Sequence, residues 1–143
     1  MILIDAQGLI ALLADEPAAD EVATILESSG AGITPMNLAE AIDISERVLG
    51  IDAEVVRPAI TTLRESVLHV VACTEDDAWR AGQLRARRYH RVRAPISIAD
   101  AFLIAAARPG DAVASADGGV LAVARAVGVD VIPLPDSTGR KPS

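Results

Sequence analysis

Four acidic residues at separated points of the chain are the residues best suited to do chemistry. Asp5 and Asp117 each follow a short apolar run that predicts a buried strand, and Glu40 and Asp100 lie in the first two turns of predicted helices. The carboxyl ends of parallel strands meet at one edge of a sheet, where open α/β sheets bind ligands. Carboxylates that converge there raise each other's pKa unless cations neutralise them. The pattern therefore predicts an acidic site that a divalent cation would neutralise.

Each acid also has a purely local interpretation. Asp100 completes a capping-box pattern with Ser97, and Asp117, which precedes two glycines, is typical of a turn or a helix N-cap. Glu40 fits an ordinary solvated helix position, although its neighbours are apolar. Asp5 has no obvious local partner at the end of its apolar strand. Taken one at a time, the acids leave both interpretations open.

Several other kinds of site are disfavoured by the sequence. Cys73 is the only cysteine, and His69 and His90 are the only histidines, so we expect neither an intrachain disulfide nor a Cys/His zinc site. The chain lacks the glycine-rich loops that bind dinucleotides or nucleoside triphosphates. Asp5 has no acidic neighbour, unlike the paired acids of a receiver domain, and Gln7 stands where an aspartyl phosphatase has its second aspartate. Any metal is therefore expected to be bound by oxygen.

The elements that must position these acids are short apolar runs separated by segments with helical spacing. Thr34-Pro35 is typical of an N-cap followed by proline at the first helical position, and Ser97 begins a capping-box pattern, so both points predict helix starts. Pro58 lies inside a helical pattern and predicts either a kink or a late start. Strands alternating with helices predict an α/β fold with a parallel sheet. The runs predicted as strands are residues 2–4, 31–34, 67–73, 112–114 and 129–132.

The composition is typical of one compact domain. Of 143 residues, 51% are hydrophobic and 23% are charged, and no apolar run approaches the roughly 18 residues of a membrane-spanning helix. The first residues show neither the basic leader nor the cleavage site of a secretory signal, so we expect the protein in the cytoplasm and no membrane partner. We expect one domain over residues 1–135 and a flexible polar tail over residues 136–143.

The four acids lie in four motifs whose order resembles that of a known family. The order and spacing of the motifs resemble those of PIN-domain ribonucleases. The motifs are Ile2-Leu3-Ile4-Asp5, Asn37-Leu38-Ala39-Glu40, Ser97-Ile98-Ala99-Asp100-Ala101 and Ser115-Ala116-Asp117. Each motif is weakly specific alone, but the ordered set is specific. The chain is similar in particular to the VapC-type toxins of type II toxin–antitoxin systems, and the resemblance extends from Ile2 to about Leu134.

The resemblance implies a fold, a reaction and partners. A PIN domain has a short central parallel sheet flanked by helices, and it uses Mg²⁺ or Mn²⁺ to cleave RNA. Matched motif by motif, Asp5, Glu40, Asp100 and Asp117 would be the catalytic and metal-binding acids, with Asp5 and Asp100 as the principal ligands. The resemblance also implies a small antitoxin protein as partner, RNA as substrate, and a homodimer.

Three departures from the family pattern support a second hypothesis. Gln7 stands where the family often has a hydroxyl residue, and Ser115 stands where it often has threonine. Gly118 and Gly119 follow Asp117 in place of a further acidic or polar residue and an aromatic one. The alternative is therefore a catalytically weak or inactive PIN-like domain that binds a protein partner. Metal-dependent RNA cleavage would distinguish the two.

The charge distribution limits how such a protein would approach RNA. A net charge of −7 argues against a broad basic surface, but six arginines lie in one short stretch. Arg91 and Arg93, in the loop before a predicted helix, and Ser115 are candidates for RNA contact. Trp79 and Tyr89 are interpreted as packing residues, because one tryptophan and one tyrosine make a poor platform for base stacking.

A groove for a protein partner is predicted at the first two helices. They carry more apolar residues than two short helices need to cover a small sheet with one face each. The alternative is that all of these residues belong to the core. If the toxin resemblance holds, the antitoxin would lie here and bring a basic side chain toward Asp5 or Asp100. The residues assigned to this groove are Leu9, Leu12, Leu13, Val22, Ile25 and Leu26.

Overall fold

Five short parallel strands form the central sheet in the computed structural model, which describes residues 1–143. Their order across the sheet is β3-β2-β1-β4-β5, with β1 in the middle. β1, β2 and β3 fall within the predicted apolar runs, and β4 and β5 each end one residue beyond theirs, so the predicted α/β fold with a parallel sheet is confirmed. The strands are β1 (Ile2–Ile4), β2 (Ala31–Ile33), β3 (Leu68–Val70), β4 (Ala112–Ser115) and β5 (Asp130–Pro133).

Seven α-helices flank the sheet. Thr34 caps α3 and Ser97 caps α6 through their hydroxyls, as the sequence predicts. A short π-helical turn, Ile44–Val48, prolongs α3. The helices are α1 (Ala6–Ala14), α2 (Ala19–Ser29), α3 (Pro35–Asp43), α4 (Ala53–Ser66), α5 (Glu75–Arg88), α6 (Ile98–Ala106) and α7 (Gly118–Ala126).

The sheet separates two hydrophobic cores because consecutive strand residues point to opposite faces. Ile4 and Ala114 belong to a core formed with α1 to α4. Leu3 and Val113 belong to a second core formed with α5, α6 and α7. The sheet is therefore covered on both faces, as the apolar character of its strands requires.

A buried ion pair, which the sequence did not predict, fixes α5 against the end of α6. The Asp77 carboxylate is fully buried and accepts hydrogen bonds from the Arg108 guanidinium at 3.0 and 3.1 Å. It also accepts from the Thr74 backbone in a capping box and from Arg80. These donors hold the pKa of Asp77 well below its usual range, with the Arg108 hydrogen bonds as the largest cause. These contacts hold the face of α5 that carries Asp77 against the rest of the protein.

The sequence left the start of α4 open, and the structure resolves it. The helix begins at Ala53, with Asp52 as its N-cap, and continues past Pro58 without interruption. Proline lacks the amide hydrogen that would bond to the carbonyl of Glu54 four residues earlier. Pro58 is exposed, so water can solvate that carbonyl. The late start is therefore wrong.

The C-terminal residues return along the surface. Leu134 is fully buried, and the chain then makes a turn in which the Asp136 amide donates to the Arg140 carbonyl at 2.8 Å. Further on, Lys141 Nζ lies 2.8 Å from Glu21 Oε2. The mobility expected of residues 136–143 stays a prediction. No helix of the protein combines the length and the apolar character needed to cross a membrane.

Candidate active site

Asp5 lies where the direction of the strand order reverses. From β1 the chain builds outward through β2 to β3 on one side and through β4 to β5 on the other, which leaves a crevice at the carboxyl ends of β1 and β4. Ile4 pairs with Ala114, so the next residues along, Asp5 and Ser115, leave adjacent strands side by side. The Asp5 amide still donates to the Ala114 carbonyl at 3.4 Å. The sheet itself therefore positions Asp5.

Asp5 is buried, with only 4% of its surface exposed. It is the N-cap of α1, and its Oδ1 accepts a hydrogen bond from the Gly8 amide at 2.7 Å. Burial is the main cause that raises the pKa of Asp5 to about 6, and the charges of Asp100 and Asp117 raise it further. Hydrogen bonds from Ser115 and Gly8 offset part of this rise. Asp5 thus has a local partner, the Gly8 amide, which its sequence context did not reveal. The charges of Asp100 and Asp117 also act on its carboxylate.

Asp100 serves as the third residue of a capping box at the start of α6. Its Oδ2 accepts from the Ser97 amide at 2.7 Å, while the Ser97 hydroxyl accepts from the Asp100 amide at 3.0 Å. Its other carboxylate oxygen, Oδ1, accepts no hydrogen bond within the chain. The capping interpretation of Asp100 is confirmed, and one oxygen of the half-buried carboxylate stays available for a ligand.

Asp117 combines the same two features at the start of α7. Its Oδ1 accepts from the amides of Gly119 at 2.6 Å and Val120 at 3.3 Å, so Asp117 is the N-cap that the sequence suggested. Its Oδ2 accepts nothing within the chain, and the residue is exposed. Asp117 can therefore turn a free oxygen toward solvent or a ligand without losing the cap.

Glu40 lies in the second turn of α3, whose start is fixed by two buried polar residues. Thr34 Oγ1 accepts from the Asn37 amide at 3.2 Å and donates to Asn37 Oδ1 at 2.5 Å. Glu40 is half-buried, and its carboxylate accepts no hydrogen bond. Burial raises its pKa, followed by the charges of Asp100 and Asp43. Glu40 is therefore a half-buried carboxylate without a hydrogen-bond partner in the chain, and the charge of Asp100 acts on it.

The charges of these acids act on one another in pairs. Asp5 senses Asp100 and Asp117, and Glu40 senses Asp100. The donor set is entirely carboxylate oxygen, which Mg²⁺ and Mn²⁺ prefer. As the side chains stand, no group of three or more His, Cys, Asp or Glu residues could hold a metal ion. Mg²⁺ commonly takes only one or two carboxylates and keeps its waters, so the donor set fits such an ion.

A model of one protein family matches nearly the whole chain. The PIN domain family model matches residues 2–132, which include β1 to β4, all of β5 except Pro133, and all four acids. The chain belongs to the PIN domain family. Among curated proteins, no sequence matches it significantly.

Solved structures with this PIN fold come from several bacteria. VapC20 of Mycobacterium tuberculosis, a sarcin-ricin loop cleaving toxin, matches with a TM-score of 0.68 and 20% identity over 90% of this chain and 96% of that one. A toxin–antitoxin complex from Klebsiella pneumoniae matches with a TM-score of 0.64 and 18% identity over 92% and 96%. VapBC-1 from nontypeable Haemophilus influenzae matches with a TM-score of 0.63 and 20% identity over 92% and 97%. At sequence identities of 18–20%, the structural similarity shows that these proteins and this chain share a fold.

Ser115 has a different role in this PIN domain from the one expected. It is fully buried, so it cannot be the RNA contact suggested by its position in the sequence. Its Oγ accepts from the Asp117 amide at 2.9 Å, and its hydroxyl hydrogen-bonds with Asp5 and lowers the pKa of that carboxyl. Ser115 therefore connects two of the acids. The signal that could have revealed this was its position at the end of β4, beside Asp5 at the end of β1.

Arg91 and Arg93 lie in an exposed turn beside the site. The turn is closed by paired hydrogen bonds between His90 and Ala94, and His90 Nδ1 accepts from the Arg93 amide at 3.0 Å. A Cβ on Gly119 would lie 3.4 Å from Ala94 Cα, so the turn packs directly against the start of α7. Neither arginine pairs with a carboxylate of the chain. Both guanidinium groups are therefore free to contact an anion.

Trp79, in α5, and Tyr89, which directly follows α5, are not core residues. Trp79 is 65% exposed and Tyr89 is 45% exposed, so their interpretation as packing residues is wrong. Arg85 stacks over the Tyr89 ring at 4.6 Å and donates from Nε to the Ile96 carbonyl at 3.0 Å. Arg85 thereby ties the end of α5 to the loop that leads into α6, and Trp79 contributes nothing to the core.

Most of the predicted partner groove belongs to the hydrophobic core. Four of its six residues are buried there, so they leave no surface for another protein; these are Leu9, Val22, Ile25 and Leu26. They are buried in one cluster with residues of the strands, because α1 packs on α2, α3 and the sheet. Leu12 and Leu13 are half-buried at the edge of that core. Of the predicted groove, only Leu12 and Leu13 retain surface that a partner protein could contact.

Proposed function

We propose that this PIN domain is a ribonuclease that depends on Mg²⁺ or Mn²⁺ and acts as the toxin of a toxin–antitoxin pair. Its acids would be Asp5, Glu40, Asp100 and Asp117. The observation that carries the proposal is the electrostatic coupling of these four carboxylates at the crevice between β1 and β4. The substrate would be RNA, and the bond broken a phosphodiester.

The free carboxylate oxygens assign each acid a role in the proposed reaction. Asp5 and Asp100 would hold the metal, since Asp5 is fixed by the sheet and Asp100 keeps Oδ1 free. Glu40 would accept a proton from a water or orient it, because its carboxylate has no other partner. Asp117 would bind a second water or ion through Oδ2. A bound Mg²⁺ or Mn²⁺ would acidify water and neutralise charge on the phosphate.

The RNA would reach the acids along the Arg91 to Arg93 turn. Four of the twenty acids lie in the site, so the rest of the chain carries a charge of about −3. The turn packs against α7, next to Asp117, and supplies two unpaired cations beside the crevice. Phosphate contacts of this kind position RNA without reading its sequence.

The proposed antitoxin would approach the crevice from the side of α1. A cavity of about 460 Å³ adjoins Asp117 and is lined by the further acids Glu16 and Asp136 as well as by Gln7. A basic side chain from a partner would be attracted there and would compete with the metal for the acids. The Klebsiella and Haemophilus neighbours are toxin–antitoxin assemblies, which supports such a partner. A homodimer and a cytoplasmic location belong to the same proposal.

The proposal is tested by RNA cleavage with a matched pair of variants. Purified protein is incubated with total cellular RNA, with Mn²⁺, Mg²⁺ or EDTA, and new RNA ends are mapped. We expect cleavage by the wild type with either metal and a loss of about 100-fold or more in Asp100→Asn, which removes a charged ligand. Asp52→Asn is the control, because the Asp52 carboxylate, like that of Asp100, accepts a backbone hydrogen bond at a helix start, but at α4. Wild-type rates in Asp100→Asn would contradict the assignment.

The same assay distinguishes the proposed ribonuclease from the alternative hypothesis. A PIN-like interaction domain without turnover would bind the product of a neighbouring small open reading frame yet leave RNA intact with either metal. Co-expression followed by size-exclusion chromatography measures that binding, with Leu12→Asp as the variant expected to weaken it. Binding without cleavage would favour the alternative, whereas cleavage without binding would support a PIN nuclease that is not an antitoxin-controlled toxin.

A further inference from the structure

The basic turn that carries Arg91 and Arg93 is held from inside by one side chain. His90 Nδ1 accepts hydrogen bonds from the Val92 amide at 3.1 Å and from the Arg93 amide at 3.0 Å. No backbone carbonyl accepts from either amide, so the imidazole is their only acceptor in the chain. The backbone closes the turn only at its base, where His90 and Ala94 exchange two hydrogen bonds of 3.0 Å. The inner amides of the turn therefore depend on His90.

Two amide donors require an unprotonated acceptor at Nδ1. A neutral imidazole provides one when its hydrogen is on Nε2, because the other ring nitrogen then carries a free lone pair. A protonated imidazole has a hydrogen on both nitrogens and accepts no hydrogen bond. Protonation of His90 would thus place an N–H group against two other N–H groups. Histidine is the residue type that commonly changes its charge between pH 5 and pH 8.

The charged groups around His90 come from the end of α5, from the turn itself and from α7. The start of α7, which packs against Ala94 through Gly119, contributes the carboxylate of Asp117. His90 forms no ion pair with this or any other acid of the chain. A charge on the ring would be repelled by the nearby cations, which adds to the loss of the two hydrogen bonds. These cations are Arg85, Arg88, Arg91 and Arg93.

We infer that His90 is a pH-sensitive latch on this turn. The neutral ring holds the Val92 and Arg93 amides, and protonation releases both, so that the guanidinium groups of Arg91 and Arg93 lose their fixed position. Residues 89–93 are exposed, so the turn can change without disturbing either hydrophobic core. The latch makes the placement of the two arginines depend on pH. Its effect on RNA rests on the proposed function, but the latch itself does not.

Nuclear magnetic resonance of the isotope-labelled full chain between pH 8 and pH 5.5 tests the latch. At pH 8 the ring nitrogen shifts should show His90 with its hydrogen on Nε2, and the Val92 and Arg93 amides should have order parameters of about 0.8. At pH 5.5 these order parameters should fall below about 0.6, in step with protonation of the ring. A hydrogen on Nδ1 at pH 8, or a turn equally ordered at both pH values, overturns the inference.

His90→Asn is the decisive variant, because it keeps an acceptor and removes the titration. The asparagine Oδ1 is attached to the γ-carbon as Nδ1 is, and asparagine commonly accepts from the amide two residues further along. The turn should therefore be ordered at both pH values in His90→Asn and mobile at both in His90→Ala. His69→Asn, at the only other histidine, is the control and should keep the wild-type pH response.

These variants also separate His90 from Asp5, whose pKa is raised to about 6. A pH response of the turn that persists in His90→Asn would assign the change to another group and overturn the inference. A turn that is as ordered in His90→Ala as in the wild type at pH 8 would also overturn it. The measurements involve neither RNA nor metal, so their outcome is independent of the proposed ribonuclease activity.

Discussion

Each aspartate of the site uses one carboxylate oxygen to cap a helix. Asp5 caps α1, Asp117 caps α7, and Asp100 completes the capping box of α6. The positive ends of three helix dipoles therefore lie at the crevice, and they offset part of the repulsion among the acids. The local and catalytic interpretations of these residues thus do not exclude each other, because a carboxylate has two oxygens.

The raised pKa of Asp5 predicts a pH effect on stability that Asp5→Asn should remove. The pKa of Asp5 rises from 3.8 to about 6 on folding, so the folded state binds the proton more tightly than the unfolded chain does. The contribution of Asp5 to the free energy of unfolding therefore falls as the pH rises from about 4 to about 6, by on the order of 2–3 kcal/mol. Asparagine keeps the N-cap and carries no charge. In urea unfolding with EDTA, Asp5→Asn should be more stable than wild type at pH 7.5 and no more stable at pH 4.

The outcome at high pH decides whether Asp5 is destabilising in the folded protein. Equal stability of wild type and Asp5→Asn at pH 7.5 would show that the Asp5 carboxylate is not strained by burial. Asp52→Asn again serves as the control, because Asp52 caps α4 at an exposed position.

Ser115→Ala tests whether this buried hydroxyl holds two acids in place. The substitution leaves the Asp117 amide without its acceptor and removes a hydrogen bond that lowers the pKa of Asp5. We expect a loss of about 1–2 kcal/mol in unfolding free energy and an Asp5 titration shifted to higher pH. Ser115→Thr, which keeps the hydroxyl, should retain the wild-type titration. An unchanged pH profile of unfolding in Ser115→Ala would show that Ser115 acts only through packing.

At the scale of elements, the sequence was informative where a local signal determines the structure. Thr34-Pro35 and the Ser97 to Asp100 box set helix starts by hydrogen bonds within four residues, so both starts could be predicted. Leu9 and Leu12 show what could not be predicted. Their spacing marks an apolar helix face, but only the packing of other elements decides that Leu9 is buried and Leu12 half-exposed. Periodicity does not specify what covers a face.

The residues of the candidate site could likewise be predicted only where a local signal identifies them. The four acids could be identified because strand ends and helix starts place them at one edge, whereas Ser115 required the pairing of Ile4 with Ala114 to be known. Trp79 was misassigned for the converse reason, since a lone aromatic residue in a helix is usually packed.

Gly32 in β2 is predicted to be essential for the packing of the sheet that carries Asp5. A Cβ at this position would lie 2.6 Å from Leu3 Cδ2 and 2.7 Å from Val71 Cγ2. Leu3 is fully buried in β1, so it cannot move aside freely. We expect Gly32→Ala to lower the unfolding free energy by about 1–3 kcal/mol. Stability equal to wild type in urea titration would show that the side chains around Gly32 repack at little cost.

At the scale of the whole molecule, the proposed metal should act on stability as well as on cleavage. A ligand that binds only the folded state stabilises it by RT ln(1 + [L]/Kd), which is about 2.7 kcal/mol at a concentration 100 times Kd. For a chain of 143 residues this corresponds to a rise in Tm of about 6–10 °C. The rise should grow with the logarithm of the Mn²⁺ or Mg²⁺ concentration, without a preference for Zn²⁺.

Protons and metal should compete for Asp5, which gives the metal effect a pH dependence of known sign. Above pH 6 the carboxylate is charged and available, so the Tm rise should be largest there; below pH 6 it should shrink as Asp5 is protonated. The rise should be small or absent in Asp5→Asn and Asp100→Asn and intact in Asp52→Asn. Thermal melts at pH 7.5 and pH 5 with millimolar Mn²⁺, together with calorimetric titration, measure these effects. No Tm shift and no binding heat at pH 7.5 would contradict a metal site at the crevice.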